Sequence, residues 1–435
     1  MKPSLTLLAV LLVSLPILAV YLINKNKDKD KAYIYYINYK PESDSILQEL
    51  AKIYSEQTGI DVKIYTPPSG TYEAFMEKEM KKSKPPTLFV EGNQEYLVKW
   101  EDYVYNLEGT KVVDELNTKD YMLYDRNGNL ASIGYCYETF GIITNIELLK
   151  KANHNVEEIT NFDKLKNVVE DIHSRANSLG FDAFTSSGLD DSSSWRFSGH
   201  LANVPLFYES RDDGIWDETP ETIQGKYLKN YKNLWDLYIH NSAADPTKLL
   251  DGNYNAEEEF GQKKAVFYQN GNWEFDALVN KYNLDPKNLT MIPLYSGVDG
   301  EENAGLSSGT ENYWAVNKKA PEKAVNATLD FMYWMVTDSK STEMLATTFG
   351  SIPFKKAKAP DNVFLAKAND LVNEGKYTMT WAFNYVPGHN QWRQDLVTAL
   401  NEYSKNNSEE NWNKVKEAFV EGWKKQYQAT FGNKE

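Results

Sequence analysis

Groups able to do chemistry are abundant in this chain, yet few stand in the patterns that catalysis needs. The five histidines, at positions 154, 173, 200, 240 and 389, make no HExxH or HxH arrangement that would gather a metal. Asp251, Asn253 and Asn255 match the first ligands of a calcium loop, but Ala256 replaces its glycine and Gln262 its bidentate glutamate. Ser192, Ser193 and Ser194 have hydroxyls with no neighbouring base to activate them. No nucleophile elbow, phosphate-cradling loop or dinucleotide fingerprint occurs. A glycosidase needs a pair of carboxylates, and among 62 acidic residues spacing singles out none. Neither a metal nor a cofactor is called for.

The residues that do form a pattern are aromatic and polar together: Trp195-Arg196, Asn270-Gly271-Asn272-Trp273-Glu274, Glu311-Asn312-Tyr313 and Trp381-Ala382-Phe383-Asn384. A pyranose offers an apolar C–H face that stacks on an indole, and a ring of hydroxyls that charged side chains hold. Each position has a plainer alternative. Trp273 can staple a helix to a sheet, Trp195 and Arg196 can be an interior cation–π pair, and Glu311 can be a solvated carboxylate. Glu91 and Glu138 follow apolar strands, where a buried carboxylate needs a ligand hydroxyl or an arginine as partner.

These residues need a scaffold. With 435 residues the chain exceeds the roughly 250 to 300 that one core supports, so two lobes are expected. A formal charge of −15 repels phosphate backbones and excludes nucleic acid as a partner. The single cysteine, Cys136, lies among apolar residues and reads as a small buried hydrophobe. Its 29 Tyr and 11 Trp suit either a wet ligand site or large aromatic cores.

Apolar runs at 32–38, 60–65 and 87–91, separated by helical patterns at about 43–58 and 72–82, predict β-α-β-α-β with a mainly parallel sheet. Ligands in such sheets sit beyond the carboxyl ends of the strands, at 38–42, 67–72 and 91–94. A second set of elements, including a helix over 163–179 and a strand over 264–268, predicts the second lobe. A strand over 313–316 and helices over 320–337, 361–375 and 412–427 complete the chain.

The uncharged segment 4–23 spans roughly 30 Å as a helix and is expected to enter a membrane, as an export signal or a retained anchor. Residues 24–31 alternate Lys, Asn and Asp and read as a solvated spacer.

Taken in order, Tyr39-Lys40-Pro41-Glu42, Ser69-Gly70-Thr71-Tyr72, Pro86-Thr87-Leu88-Phe89, Tyr137-Glu138-Thr139-Phe140-Gly141-Ile142, Trp195-Arg196-Phe197, Val266 to Trp273 and Glu311-Asn312-Tyr313-Trp314 resemble the family 1 extracellular sugar-binding proteins of ABC importers. The resemblance covers about residues 32–431. It implies an α/β, two-lobed periplasmic-binding-protein-like (type II) fold with a hinge and an inter-lobe ligand cleft. Residues 32–140 plus 303–345 would form lobe one, and 145–298 plus 350–431 lobe two. Lys40, Glu91 and Glu311 would reach the ligand from lobe one, Trp195, Arg196, Trp273, Trp381 and Asn384 from lobe two, and Glu138 from before the first crossing. It implies a monomer outside the bacterial cell, tethered through 4–23, that closes on an oligosaccharide of the raffinose or malto type and passes it to ABC importer permease subunits. This chain departs from the lipid-anchored pattern, since no cysteine follows the apolar segment. The competing expectations are a surface glycan-binding or glycosidase-like protein, and a receptor for a non-sugar solute.

Overall fold

The computed structural model describes residues 32–432 except 69, 120, 187, 191, 192, 216, 217, 252, 253 and 351, so the apolar segment 4–23 and the spacer lie outside it. Among the described residues no helix is long and apolar enough to cross a membrane.

Strand β1 (Tyr33–Ile37), paired on both sides, is buried along its whole length. Helix α1 (Asp44–Thr58) follows, burying Leu47, Leu50, Ala51 and Tyr54 on one stripe and stopping at Gly59, whose φ of 72° is left-handed. Strand β2 (Asp61–Tyr65), helix α2 (Tyr72–Glu79), strand β3 (Leu88–Glu91) and helix α3 (Gln94–Trp100) continue the alternation. Strands β4 (Met122–Tyr124) and β5 (Leu130–Gly134) complete the first pass.

The chain then crosses at 135–137 into β6 (Glu138–Asn145), the centre of a second sheet. There follow helix α4 (Phe162–Ser174), β7 (Asp182–Phe184), β8 (Ala265–Gly271), β9 (Leu289–Ile292) and β10 (Ala304–Gly309). A second crossing at 310–312 returns it to β11 (Tyr313–Val316) and helix α5 (Glu322–Thr337). Ile352 and Phe354 still pack in the first lobe's core, and Phe364 and the last strand, β12 (Tyr377–Thr380), belong to the second lobe. Helices α6 (His389–Lys405) and α7 (Glu409–Phe431) close that lobe.

The sheet orders are β2-β1-β3-β11-β5-β4 and β12-β10-β6-β8-β7, with β9 beside β6. Two expectations change here. The first sheet is parallel only across β2-β1-β3, because β11 enters antiparallel to β3 and β5. Sheet membership also moves the crossings: residues 138–140 and 304–309 pair within the second sheet, and 352–354 pack with the first lobe. Pairing decides these memberships, and local patterning is blind to it. Helix 163–179 divides at Arg175 into 162–174 and a short turn at 176–179.

Most aromatic residues serve the cores. Trp314 stacks on Tyr135 with ring centroids 4.5 Å apart, and its Nε1 donates to Tyr36 Oη. Trp235, Trp392, Trp412 and Trp423 fill the second lobe. Cys136 is buried and free, and burial pushes its thiol pKa up.

Where β6 runs beside β9 the backbones approach so closely that a Cβ on Gly141 would lie 2.5 Å from the carbonyl oxygen of Ile292. Gly141→Ala is expected to destabilise the second lobe by about 2 kcal/mol, read as a melting temperature several degrees lower in a thermal unfolding scan.

Candidate ligand-binding cleft

The loop after β1 brings Lys40 to the seam between the lobes. Its ammonium is only 5% exposed and meets Glu138 Oε1 at 2.5 Å and Glu42 Oε1 at 2.6 Å. Burial opposes its charge, but Glu138 and Glu42 outweigh that and hold its pKa well above the ordinary value. The second oxygen of Glu138 accepts from Asn312 Nδ2 at 2.9 Å. The loop is pinned by Asn38, whose Nδ2 donates to the Lys40 carbonyl and to Thr66 Oγ1. Tyr39, at its tip, remains 47% exposed and meets Tyr72 edge to face.

The second lobe presents two half-buried indoles. Trp195 and Trp273 lie 6.0 Å apart and both flank His200, which stacks on Phe140 at 3.8 Å. Burial, then Arg196 and Arg393, holds His200 well below its usual pKa, so it is neutral. Trp273 owes its position to Gly271: a Cβ there would stand 2.3 Å from the indole, so the ring lies against bare backbone. Arg196 opens a π-helical turn (Arg196–Leu201), with its guanidinium over Tyr268 and Phe197 and one N–H on the Gln269 carbonyl. Its cation–π partners are thus Tyr268 and Phe197.

Two carboxylates titrate near neutrality. Glu274 is raised to about 7 by burial and by Glu257, with Arg196 opposing and Glu42 of the first lobe adding to the rise. Glu311, in the second crossing, is raised to about 7 by burial and by Glu138, with Arg393 opposing. Arg393 lies on α6, and its Nε donates to Ser198 Oγ at 3.1 Å. Tyr39, Glu42 and Glu274, which stand in the quoted motifs but were not among the nine expected ligand residues, lie beside this site, and so does Arg393, which sequence reasoning missed. The Trp392-Arg393 dipeptide repeats the aromatic-guanidinium signal of Trp195-Arg196, and apolar residues at 392, 396, 399, 400 and 403 mark its helix.

Three expected residues stand elsewhere. Glu91, at the end of β3, is fully buried, and among the described residues its two oxygens have no partner. Burial, with Glu73 nearby, holds it well above the usual carboxylate range. Trp381 and Asn384 line a separate group of walls, a cavity of about 550 Å³ that includes Tyr121, Tyr137, Thr310 and Tyr385. Trp381 lies over Gly309, where a Cβ would stand 2.7 Å from its ring, and Asn384 Nδ2 donates to the Thr310 carbonyl at 2.8 Å.

Lys40→Met is expected to cost about 3 to 5 kcal/mol in denaturant unfolding, because it leaves Glu138 buried beside Glu42 without a cation. Adding Glu138→Gln to that variant is expected to recover most of the loss.

No curated protein sequence matches this chain. Solved structures do. The solute-binding protein RafE in complex with raffinose is 16% identical, with 91% of this chain and 100% of that one aligned at a TM-score of 0.65. The GacH receptor of Streptomyces glaucescens is 15% identical over 93% of this chain and 100% of that one, with a TM-score of 0.65. A sugar transporter from Bacillus licheniformis in complex with stachyose is 17% identical over 92% and 100%, with a TM-score of 0.63. These likenesses establish the two-lobed periplasmic-binding-protein-like fold. The profile of the bacterial extracellular solute-binding proteins matches residues 49–371, and the chain belongs to that family.

Proposed function

We propose that this protein captures a short, neutral oligosaccharide outside the bacterial cell, closes its lobes around it, and delivers it unchanged to the permease of an ABC importer. The observation that carries this reading is the pair of half-buried indoles Trp195 and Trp273, 6.0 Å apart, on a chain whose buried formal charges already answer one another. Lys40 is taken by Glu138 and Glu42, Arg196 neighbours Glu274, and Arg393 neighbours Glu311. A polyamine or a carboxylate would break that balance, whereas a sugar brings hydroxyls to acceptors such as Glu274 Oε2, which has no partner among the described residues, and a C–H face to the rings. RafE and the Bacillus licheniformis protein hold raffinose and stachyose, which are sugars of this class. Tethering through 4–23 and a monomeric state complete the proposal.

At ~0.3 kcal/mol per heavy atom, a di- or trisaccharide gains about 7 to 10 kcal/mol, enough for micromolar affinity or better. A thermal-shift screen against mono-, di- and trisaccharides, amino acids and polyamines tests the class, since a ligand at 100 times its dissociation constant adds about 2.7 kcal/mol. Stabilisation by oligosaccharides recovered intact supports the reading. Stabilisation by polyamines alone, or cleavage of the sugar, refutes it. Trp273→Ala is expected to weaken the sugar at least tenfold while melting close to the parent, and Gly271→Ala to do the same by pushing the indole off its seat.

Affinity should also follow pH. A hydroxyl that donates to Glu274 or Glu311 favours the ionised form, so binding releases protons and affinity rises as pH passes upward through about 7. The unliganded fold runs the opposite way. A carboxyl whose folded pKa is about 7 against an ordinary 4.5 favours folding most below 4.5 and loses that contribution as pH climbs through about 7. Titration calorimetry at pH 6 and 8 in buffers of different ionisation enthalpy reads the proton release, and a pH-independent affinity would discard the role of both groups.

A further inference from the structure

Helix α6 starts at Gly388, whose φ of 54° is left-handed and which gives the helix no side-chain cap of its own. A Cβ at that position would stand 2.4 Å from Gln426 Oε1, so the serine, asparagine or aspartate that usually caps a helix does not fit. Its neighbour α7 is capped locally by Ser408, and α4 by Asn161. The first amides of a helix need acceptors all the same.

For α6 the acceptor comes from the other lobe. Glu95 Oε2, on α3, accepts from the His389 N–H at 3.1 Å, and the Gly388 N–H bonds to the same carboxylate. Beside it, Asn390 Nδ2 donates to Tyr96 Oη at 3.2 Å. Helix α3 is held in place for this by Asn93, whose side-chain oxygen accepts from the Glu95 and Tyr96 amides. A cavity of about 250 Å³, lined by Glu73, Lys99 and Thr430 among others, flanks the contact, so the cap stands beside open space. Arg393 follows one turn later on α6 and feels Glu311, Tyr39 and Tyr96 across the seam.

We propose that Glu95 is a positioning residue for ligand capture: by capping α6 across the lobe boundary it favours the closed arrangement and aims Arg393 into the cleft. The inference rests on the reading of this protein as a receptor that closes on its cargo. Opening takes α3 away from α6 and leaves the helix amides to water, so the cap is a contact that differs between the two states, and only such contacts shift a population. A carboxylate at a helix N-terminus also meets the positive end of the helix dipole. A cap of ordinary strength changes the closed-to-open ratio about fivefold.

The test needs no cargo. The full chain carries Lys52→Cys in the first lobe and Asn167→Cys in the second, both at exposed helix positions, while the native Cys136 is buried. Distances between labels at the two sites are measured in the unliganded protein. Glu95→Ala is expected to lower the closed fraction relative to open about fivefold, Asn390→Ala less, and Glu95→Gln, which keeps an acceptor without the charge, to fall between. A merely structural role would lower the melting temperature and leave the distance distribution of the folded protein alone. Identical distributions in the parent, Glu95→Gln and Asn390→Ala overturn the proposal, as does a parent that is wholly open. Once cargo is known, its dissociation from Glu95→Ala should be about fivefold faster. A failed sugar screen alongside an opened Glu95→Ala discards the cargo assignment and leaves the cap standing.

Discussion

An ammonium withdrawn from water must keep a counter-charge, and much of this molecule is arranged around that demand at Lys40. Glu42 comes from the same loop, Glu138 from the first residue of β6, and Asn312 from the second crossing holds Glu138 in turn. One charge cluster thus joins the end of β1 to the crossings at 135–137 and 310–312. Because three chain segments converge there, the seam between the lobes is tied at that point by charges that are already matched.

The two carboxylates with a pKa of about 7 extend that logic. Glu274 and Glu311 sit where burial and neighbouring acids make ionisation costly, and under the proposed reading a ligand hydroxyl donating there would relieve that cost. An empty site that is slightly destabilised is one that a partner improves. Glu91 shows the contrasting case, a fully buried carboxyl whose oxygens have no partner among the described residues and whose pKa burial raises.

Much of this was legible in the residues. The strand 33–37, the strand 313–316 and the Gly59 stop declare themselves by an apolar run or a left-handed requirement, both local properties. The crossings did not, because Ala304-Gly305-Leu306-Ser307-Ser308-Gly309 joins the second sheet by pairing with β6 and β12, which no window of sequence reveals. Lys40 and Glu138 were each singled out in the sequence, and their mutual bond was not legible there. Trp381 shows why an aromatic in a loop is a weak sign: its ring is 5% exposed and seated over Gly309, on a different cavity from Trp273. Helix 389–405 went unread because it opens with Gly388-His389-Asn390-Gln391, which has the composition of a turn, and its cap is supplied from almost three hundred residues earlier.

The position of β11 has a consequence for how the chain is made. This strand lies between β3 and β5, yet it is synthesised only after the chain has passed through nearly all of the second sheet. The first lobe cannot be finished as its early residues emerge, and the second waits on β12, α6 and α7 at the far end. Both halves therefore reach completion at almost the same moment, late in synthesis, through pairings that are distant along the chain and slow to form. A polypeptide ordered in this way keeps both of its lobes incomplete for most of its production.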